Sequence, residues 1–194
     1  GGECAGRVIA VGEDVEGILI GDPVVAMTAG AFASHVTLPA ALTVPLPHGF
    51  SMIDGAAFAI PFVTADYCLR ELGKITKGER ILIHAAAGGV GMAAIQIALA
   101  AGAEVYATAG SPQKRALVRR LGAKLVMDSR SPAFAEQILE ATGGQGVDLV
   151  LNSLTGDLID ATARALKPGG RFIELGVRDV RAEDFVAASG KAFT

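Results

Sequence analysis

The chain has 194 residues, of which 51% are hydrophobic and 19% are charged, so it carries enough apolar surface for one substantial core and is not a disordered segment. Its net charge of −3, without a block of lysine or arginine, argues against a nucleic-acid-binding surface. The apolar runs are too short, or too often interrupted by glycine, to span a bilayer.

The two cysteines, Cys4 and Cys68, lie far apart and form no C-x-x-C pair. This usage favours reduced thiols in a cytoplasmic protein over a disulfide scaffold. The chain begins at Gly1 without methionine, and we expect both of its ends to be cut from something longer.

The N-terminal part consists of short runs rich in β-formers, separated by glycine, proline and acidic residues. These runs are RVIAVG, GDPVVAM, AFASHVTL and LTVPL, and they predict the strands of a small antiparallel region. From Ser51, a residue type suited to an N-cap, the pattern becomes helical, and Pro61 is expected to break or kink the helix. We therefore predict two domains, a partial β-rich region over residues 1–50 and a second domain over residues 51–194 that is incomplete at its C-terminal end.

Beyond Gly78, apolar strands alternate with segments of helical pattern. The predicted strands are ILIHA, EVYATA, KLVMD, VDLVLNS and RFIELG. The predicted helices cover about 89–101, 112–121, 132–141 and 158–166. This alternation predicts an α/β fold with a doubly wound parallel sheet of the Rossmann type. Ligands of such sheets bind at the carboxyl ends of the strands.

The first of these strands runs directly into the turn AAAGGVG and then into a helix. Glycines let a pyrophosphate approach the main chain, and a helix start offers unpaired N–H groups and partial positive charge. Compared with the dinucleotide fingerprint G-x-G-x-x-G, alanine replaces the first glycine. The residues predicted to contact the cofactor are Ala86, Gly88, Gly89, Val90 and Gly91. A tight strand-to-helix turn without a ligand is the alternative.

The end of the second strand indicates which dinucleotide is bound. An NAD-specific domain carries an acidic residue there for the ribose 2′-hydroxyl, whereas this chain has Ala109. Ser111, Lys114 and Arg115 follow on the first turn of the next helix, where cations oppose the helix dipole unless an anion is bound. We therefore predict NADP(H), with these three residues at the 2′-phosphate. The alternatives are that Ser111 only caps the helix and that the two cations are solvated surface charges.

Several segments together resemble a known family. They are GGECAGRV at Gly1–Val8, VTADY at Val63–Tyr67, HAAAGGVG at His84–Gly91, LNSLTGD at Leu151–Asp157 and PGGRFIELG at Pro168–Gly176. The first three are similar to medium-chain dehydrogenases/reductases. The last two, with Ser129 and Arg130, resemble the enoyl reductase domains of modular polyketide synthases and animal-type fatty acid synthases. Relative to that family, the chain lacks the first part of the GroES-like substrate region and the final segment that completes it.

The resemblance implies NADPH-dependent reduction of a trans-2-enoyl thioester carried on an acyl carrier protein, beside neighbouring synthase domains. Hydride would go to C3 and a proton to C2. It also implies the zinc-independent, quinone-oxidoreductase-like branch, because Gly2 precedes Glu3 where the zinc-dependent branch has histidine. His35, His48 and His84 lack a ligand spacing, so we expect no metal. Relatives often pair through the last strands of the cofactor sheet, which allows a homodimer.

Four further residues are assigned to the cofactor. Thr64 corresponds by resemblance to a residue beside the nicotinamide, although a helix threonine facing the core is an alternative. Asn152 and Ser153 end the fourth strand, where the nicotinamide half would lie, with turn formation as the alternative. Gly176 ends the fifth strand and would let the nicotinamide approach closely, unless it is a plain loop glycine.

The proton donor is the least defined part of this predicted site. In synthase enoyl reductases a lysine at the position of Lys114 has been considered as a catalytic donor, together with an acidic residue after S-R. This chain has Ser131 and Ala133 there. Since Lys114 cannot readily serve both the 2′-phosphate and C2 at the opposite end of the cofactor, we favour the phosphate role. A tyrosine donor proposed in some relatives would lie in the N-terminal part that this chain lacks.

Three other functions stay open. A free-standing NADPH quinone or enone reductase belongs to the same superfamily, but the LNSL segment argues against it. A nucleotide-binding module that no longer catalyses fits Ala133. A methyltransferase is more distant, because its glycine-rich turn binds S-adenosylmethionine without needing Lys114.

Overall fold

The computed structural model describes residues 1–179 and 192–193. The chain forms two compact units, Gly1–Val63 and Thr64–Thr194. The sequence places the domain boundary between residues 50 and 51, where strands give way to helices. The first compact unit extends past that point because it includes the first short helix.

The first unit contains a three-stranded antiparallel sheet in the order β1-β2-β3. Its strands are β1 (Glu3–Arg7), β2 (Pro23–Met27) and β3 (Thr43–Pro45). Two predicted strands are not formed, since RVIAVG is strand only at Arg7 and AFASHVTL is irregular. Ile9 is 67% exposed and Val11 42% exposed. Their β propensity was overridden because strand residues are stabilised by packing against neighbouring strands, which these exposed side chains lack.

Helix α1 (Met52–Gly55) begins after Ser51, which confirms the predicted N-cap. The Ser51 hydroxyl accepts a hydrogen bond from the Asp54 N–H at 3.2 Å, and the Asp54 carboxylate accepts one from the Ser51 N–H at 2.9 Å. These two bonds form a capping box. Gly55 packs so closely on the small sheet that a Cβ there would lie 2.9 Å from Val25 Cγ2. This packing attaches α1 to the first unit.

Helix α2 (Ala59–Asp66) begins after a break at residues 56–58 and continues as a π-helix, Tyr67–Leu72. The predicted break at Pro61 is therefore wrong in position. Pro61 lies in the first turn of α2, where main-chain N–H groups have no partner within the helix and proline costs little. The Glu3 carboxylate accepts a hydrogen bond from the Ile60 N–H at 2.7 Å and so caps the start of α2.

The second unit is a parallel sheet flanked by helices, which confirms the predicted Rossmann-type fold. Its strands are β4 (Arg80–Ile83), β5 (Glu104–Ala109), β6 (Leu125–Asp128), β7 (Val147–Asn152), β8 (Leu166–Glu174) and β9 (Ala192–Phe193). Its helices are α3 (Gly89–Ala100), α4 (Pro112–Arg120), α5 (Phe134–Ala141) and α6 (Asp157–Ala165). The strand order is β6-β5-β4-β7-β8-β9.

The core of this unit is built by strand residues and by the inner faces of the helices. Leu82, Tyr106, Phe134, Val150 and Phe172 are almost inaccessible to solvent. Each such side chain contributes about 1.5–3 kcal/mol by burial. Within the described residues, no helix has the length and apolar character needed to cross a bilayer. Chain order reverses between β4 and β7, and a crevice at the carboxyl ends of strands is expected at such a point.

Candidate functional site

The turn after β4 is held in shape by main-chain hydrogen bonds. The Ala86 N–H donates to the Thr108 carbonyl of β5 at 3.1 Å. Ala85 takes a left-handed φ of 46°, and its carbonyl accepts from the Gly88 N–H at 2.8 Å. The turn therefore brings the chain into α3 along one defined path.

Gly91 determines how closely α3 approaches the end of β4. A Cβ at this position would lie 2.6 Å from both Ala85 O and Ala86 Cα. Both are main-chain atoms, so neither can swing aside as a side chain would. Ala86 is fully buried, and its methyl group is accommodated where the fingerprint has its first glycine. Alanine is thus compatible with this turn, whereas a side chain at Gly91 is not.

The start of α3 has the properties of an anion site. Its N-cap, Gly88, has no side chain to satisfy the first N–H groups, and both Gly88 and Gly89 are exposed. The helix has 12 residues, whose aligned peptide dipoles leave partial positive charge at this end. Contact of a pyrophosphate with Gly88, Gly89, Val90 and Gly91 stays a prediction, and this geometry supports it.

A buried histidine ties the turn to its neighbours. His84 Nδ1 lies 2.8 Å from Thr108 Oγ1, and Nε2 lies 2.9 Å from Thr162 Oγ1 in α6. Because the Thr162 hydroxyl donates to the Leu158 carbonyl at 2.7 Å, it accepts from Nε2–H, and Thr108 donates to Nδ1. Burial lowers the pKa of His84 from 6.5 to about 3, so the ring is neutral. Both ring nitrogens are occupied by the fold.

Ser111, in the segment after β5, caps the next helix with its hydroxyl oxygen and also carries a hydroxyl proton. Ala109, the last residue of β5, is buried. The Ser111 hydroxyl oxygen accepts from the Lys114 N–H at 3.3 Å and so caps α4. The cap uses the oxygen of this hydroxyl, and within the described residues its proton has no acceptor, which leaves it available to a ligand. The capping and phosphate roles that the sequence left as alternatives are therefore compatible.

The Arg115 guanidinium interacts with other groups of the protein. Its Nη1 donates to the Ala109 carbonyl at 3.1 Å and lies 3.1 Å from Asp128 Oδ2. The other oxygen of Asp128 accepts from the Arg130 N–H at 2.9 Å. Arg115 thus neutralises a carboxylate at the end of β6, beside the expected phosphate. Its predicted contact with the 2′-phosphate stays a prediction.

Arg130 is a candidate site residue that sequence reasoning missed. Its guanidinium lies over Gly110, because a Cβ there would be 3.4 Å from Nε and 3.5 Å from Nη2. Lys114 and Arg130 are both exposed, and within residues 1–179 neither takes part in an ion pair. The signal for Arg130 was the S-R pair directly after the third predicted strand, which lies beside β5.

The side chains of Asn152 and Ser153 differ in how many hydrogen bonds they make within the fold. Asn152 is fully buried, and its Nδ2 donates to the Leu154 carbonyl at 3.1 Å and to Glu174 Oε2 at 2.6 Å. Its Oδ1 accepts from the Leu154 N–H at 3.2 Å. Ser153 Oγ is buried and has no hydrogen-bond partner in the described part of the chain. The side chain of Asn152 therefore stabilises a turn, whereas the buried Ser153 hydroxyl has no described partner and is available to a ligand.

The other predicted site residues are placed as follows. The Gly176 N–H, beyond β8, donates to Glu174 Oε1 at 2.6 Å, and Thr64 is half-buried in α2. Their cofactor contacts stay predictions. Lys114 follows β5 on one side of β4, whereas β7 and β8 lie on its other side. This separation supports the phosphate role of Lys114 over the role of proton donor.

The donor set does not suit a zinc ion. Across residues 1–179, no three histidine, cysteine, aspartate or glutamate side chains are grouped so that they could hold a metal. Gly2, directly before Glu3, has no side chain that could ligate a metal. Glu3 itself is used to cap α2.

Known proteins resemble this chain along most of its length. Residues 89–190 match the zinc-binding dehydrogenase family. A phenolphthiocerol/phthiocerol polyketide synthase of Mycobacterium tuberculosis is 50% identical over 183 residues, which make up 94% of this chain and only 8% of that protein. The crystal structure of the CurK enoyl reductase matches with a TM-score of 0.95 and 43% identity, over 98% of this chain and 58% of that one. Mycobacterial Rv1454c complexed with NADPH matches with a TM-score of 0.93 and 32% identity, over 100% of this chain and 63% of that one.

Proposed function

We propose that this chain, which belongs to the zinc-binding dehydrogenase family, binds NADPH and acts as the enoyl reductase domain of a polyketide synthase. The observation that carries the proposal is a pair of exposed cations beyond the glycine turn, Lys114 in the first turn of α4 and Arg130 over Gly110. With Ala109 at the end of β5, no carboxylate stands at the position that selects NAD. Similarity to a polyketide synthase and to the CurK enoyl reductase supports the choice of reaction.

The described residues fit NADPH at three points. Gly91 lets the start of α3 lie against β4, and the first N–H groups of that helix would hold the pyrophosphate. The Ser111 hydroxyl proton, the Lys114 ammonium and the Arg130 guanidinium would hold the 2′-phosphate. The buried, unpartnered Ser153 Oγ would bond the nicotinamide half.

Bound NADPH would supply a hydride to C3 of a trans-2-enoyl thioester on an acyl carrier protein, with a proton reaching C2. The contribution of this chain is to bind and orient. The nicotinamide would be oriented at the ends of β7 and β8, by Asn152, Ser153 and Gly176. We propose that Thr64 also lies beside the nicotinamide. We assign Lys114 to the 2′-phosphate and leave the proton donor unassigned. No zinc enters the proposal, because Gly2 offers no side-chain ligand and, within the described residues, no three histidine, cysteine, aspartate or glutamate side chains are grouped to hold one.

Adding a crotonyl thioester to the chain and NADPH, while following NADPH absorbance, tests this proposal. Loss of NADPH that depends on the thioester supports it. Loss with a quinone but not with the thioester would favour the quinone reductase. Binding of NADPH without loss in either case would favour a module that no longer catalyses. A chain that binds no NADPH contradicts the proposal.

The proposal extends to partners and location. The matched polyketide synthase is much longer than this chain, which supports neighbouring synthase domains and an acyl carrier protein as partners. Cys4 and Cys68 are both free, in keeping with a cytoplasmic protein. A homodimer formed through the last strands of the cofactor sheet would be contradicted by a solution mass equal to one chain.

A further inference from the structure

One carboxylate links the ends of two neighbouring strands. Glu174, the last residue of β8, is half-buried. Its Oε2 accepts from Asn152 Nδ2 at 2.6 Å, and its Oε1 accepts from the Gly176 N–H at 2.6 Å. Within residues 1–179, Glu174 forms no ion pair. The carboxylate is therefore satisfied by neutral N–H groups from the end of β7 and from the segment after β8.

Together with the bond to Leu154, this link uses both N–H donors of Asn152. A carboxamide has two N–H donors, and those of Asn152 go to Leu154 and Glu174. Its oxygen holds the Leu154 N–H, which closes the turn that contains Ser153. Ser153 Oγ is buried there without a partner, and an unpartnered buried hydroxyl is costly unless a ligand satisfies it. The turn thus presents the Ser153 hydroxyl, whereas both N–H groups of the Asn152 carboxamide are already bonded within the fold.

Gly176 is bound into the same arrangement. A Cβ on Gly176 would lie 2.8 Å from Glu174 Oε1. A side chain there would displace the carboxylate and break its bond to the Gly176 N–H. Glu174 and Gly176 are therefore matched to each other.

The position of this link in the sheet indicates its purpose. In a doubly wound sheet the dinucleotide crosses the point of strand reversal, so its nicotinamide half lies over the strands on the far side of β4 from β5. Those strands are β7 and β8. We infer that Glu174 is a positioning residue for the nicotinamide half, because through Asn152 it holds the turn that presents Ser153 and through the Gly176 N–H it holds the segment after β8. The inference rests on the proposed function, which supplies the cofactor.

The chemistry of the link suggests a matched set of variants. Glutamine at position 174 offers one acceptor and one donor where two acceptors are needed, so its amide group would oppose either Asn152 Nδ2 or the Gly176 N–H. Asn152→Asp alone would place two carboxylates in contact. In the double variant the amide at 174 donates to the carboxylate at 152 and accepts from the Gly176 N–H. The link is rebuilt with its polarity reversed, at the cost of the donor to Leu154.

The test compares two ligands on the whole chain. NADPH carries the nicotinamide half, and adenosine 2′,5′-bisphosphate lacks it. We expect Glu174→Gln to weaken NADPH about tenfold and to change the affinity for the bisphosphate by less than about twofold, measured by fluorescence and calorimetric titration. Adding Asn152→Asp should recover NADPH affinity to within about threefold of the unmodified chain. Glu136→Gln, at an exposed glutamate of α5, is the control and should change neither affinity.

The outcomes separate the inference from the proposed function. Equal weakening of both ligands by Glu174→Gln, or no weakening of NADPH, would overturn the positioning role alone. If Glu174→Gln does not fold, Asn152→Asp becomes the reference, and a double variant that binds NADPH no better than Asn152→Asp overturns the inference. An unmodified chain that binds neither ligand would overturn the proposed function, and the positioning role with it.

Discussion

At the end of β5, individual side chains are divided between the fold and the expected phosphate. Arg115 is paired with Asp128, and the oxygen of Ser111 caps α4. Lys114, in the first turn of α4, and Arg130, over Gly110, are left exposed. Two cations without a described counterion are stabilised when an anion binds between them, which is the basis for the predicted preference for NADPH.

Lys114→Ala is expected to weaken NADPH binding about tenfold to a hundredfold and to leave NADH binding nearly unchanged. Only NADPH carries the 2′-phosphate that this ammonium would contact. Arg130→Ala should act in the same direction. Fluorescence titrations with both cofactors measure the effect, and Arg120→Ala, in the last turn of the same helix, is the control. Equal losses for NADPH and NADH would refute the assignment.

His84 makes the stability of the chain sensitive to mild acid. Its pKa is about 3 in the folded chain and about 6.5 when exposed, so only the unfolded chain takes up the proton between these values. The free energy of unfolding is therefore expected to fall by about 2 kcal/mol between pH 7 and pH 5. Urea unfolding across this range measures it, in a window above the titration of most carboxylates. His35→Gln, at an exposed histidine, should leave the dependence intact. A constant stability over the range would contradict the role of His84.

At the scale of elements, the contact between the turn after β4 and the start of α3 is made by main-chain atoms. Glycine at position 91 allows that contact, because a Cβ there would strike the Ala85 carbonyl oxygen and the Ala86 Cα. The same contact sets where the first N–H groups of α3 point. Packing of these two elements and binding of a pyrophosphate therefore depend on one position.

Gly91→Ala is expected to lower the free energy of unfolding by about 1–3 kcal/mol, because the added methyl must push α3 away from the turn that follows β4. NADPH affinity should fall with it, since the helix start moves. Chemical denaturation and cofactor titration measure the two effects. Gly6→Ala is the matched control, because a Cβ at Gly6 meets nothing within 4 Å. If Gly91→Ala were as stable as Gly6→Ala, close approach would not be what requires this glycine.

At the scale of the whole molecule, charged pairs at the amino ends of the strands join distant parts of the second unit. Arg171 of β8 donates to both carboxylate oxygens of Glu79, before β4, at 2.7 and 2.9 Å. Burial alone would raise the pKa of Glu79, but the hydrogen bonds from Arg171 and from the Thr76 N–H hold it below its usual 4.5. The pair stabilises the fold where no ligand is expected.

Glu79→Gln is expected to lower the free energy of unfolding by about 1–3 kcal/mol, since it removes the carboxylate that pairs with the partly buried Arg171 guanidinium. Asp66→Asn removes the more exposed pair with Arg70 and should cost less than about 1 kcal/mol. Urea unfolding at neutral pH compares them. The pKa of Glu79 is lowered in the folded chain. The loss of stability caused by Glu79→Gln, relative to the unmodified chain, should therefore be present at neutral pH and disappear as the pH falls below 4.5. Equal costs for both variants would show that burial of the pair does not matter.

The sequence by itself determined the α/β class, the glycine turn and the absence of an acid at Ala109. These features are local, since they depend on hydrophobic period, on glycine and on the residue that follows a strand. Local pattern failed at Pro61, which proved to be a first-turn residue, and at RVIAVG and AFASHVTL, whose pairing depends on strands elsewhere. Period and propensity do not contain that information.

Only the tertiary structure decided which polar groups are free. Arg115, Asn152 and His84 have the residue types of site residues, yet each is bonded to a side chain of another strand or helix. Arg130 became a candidate for contact with a ligand, and Ser153 remained one, because the fold leaves their side chains without a described partner. A hydrogen bond between residues far apart in the chain exists only once strands have been ordered into a sheet. The sequence therefore shows which polar side chains are present near this site. Which of them bond within the fold and which stay available to a ligand is decided by packing.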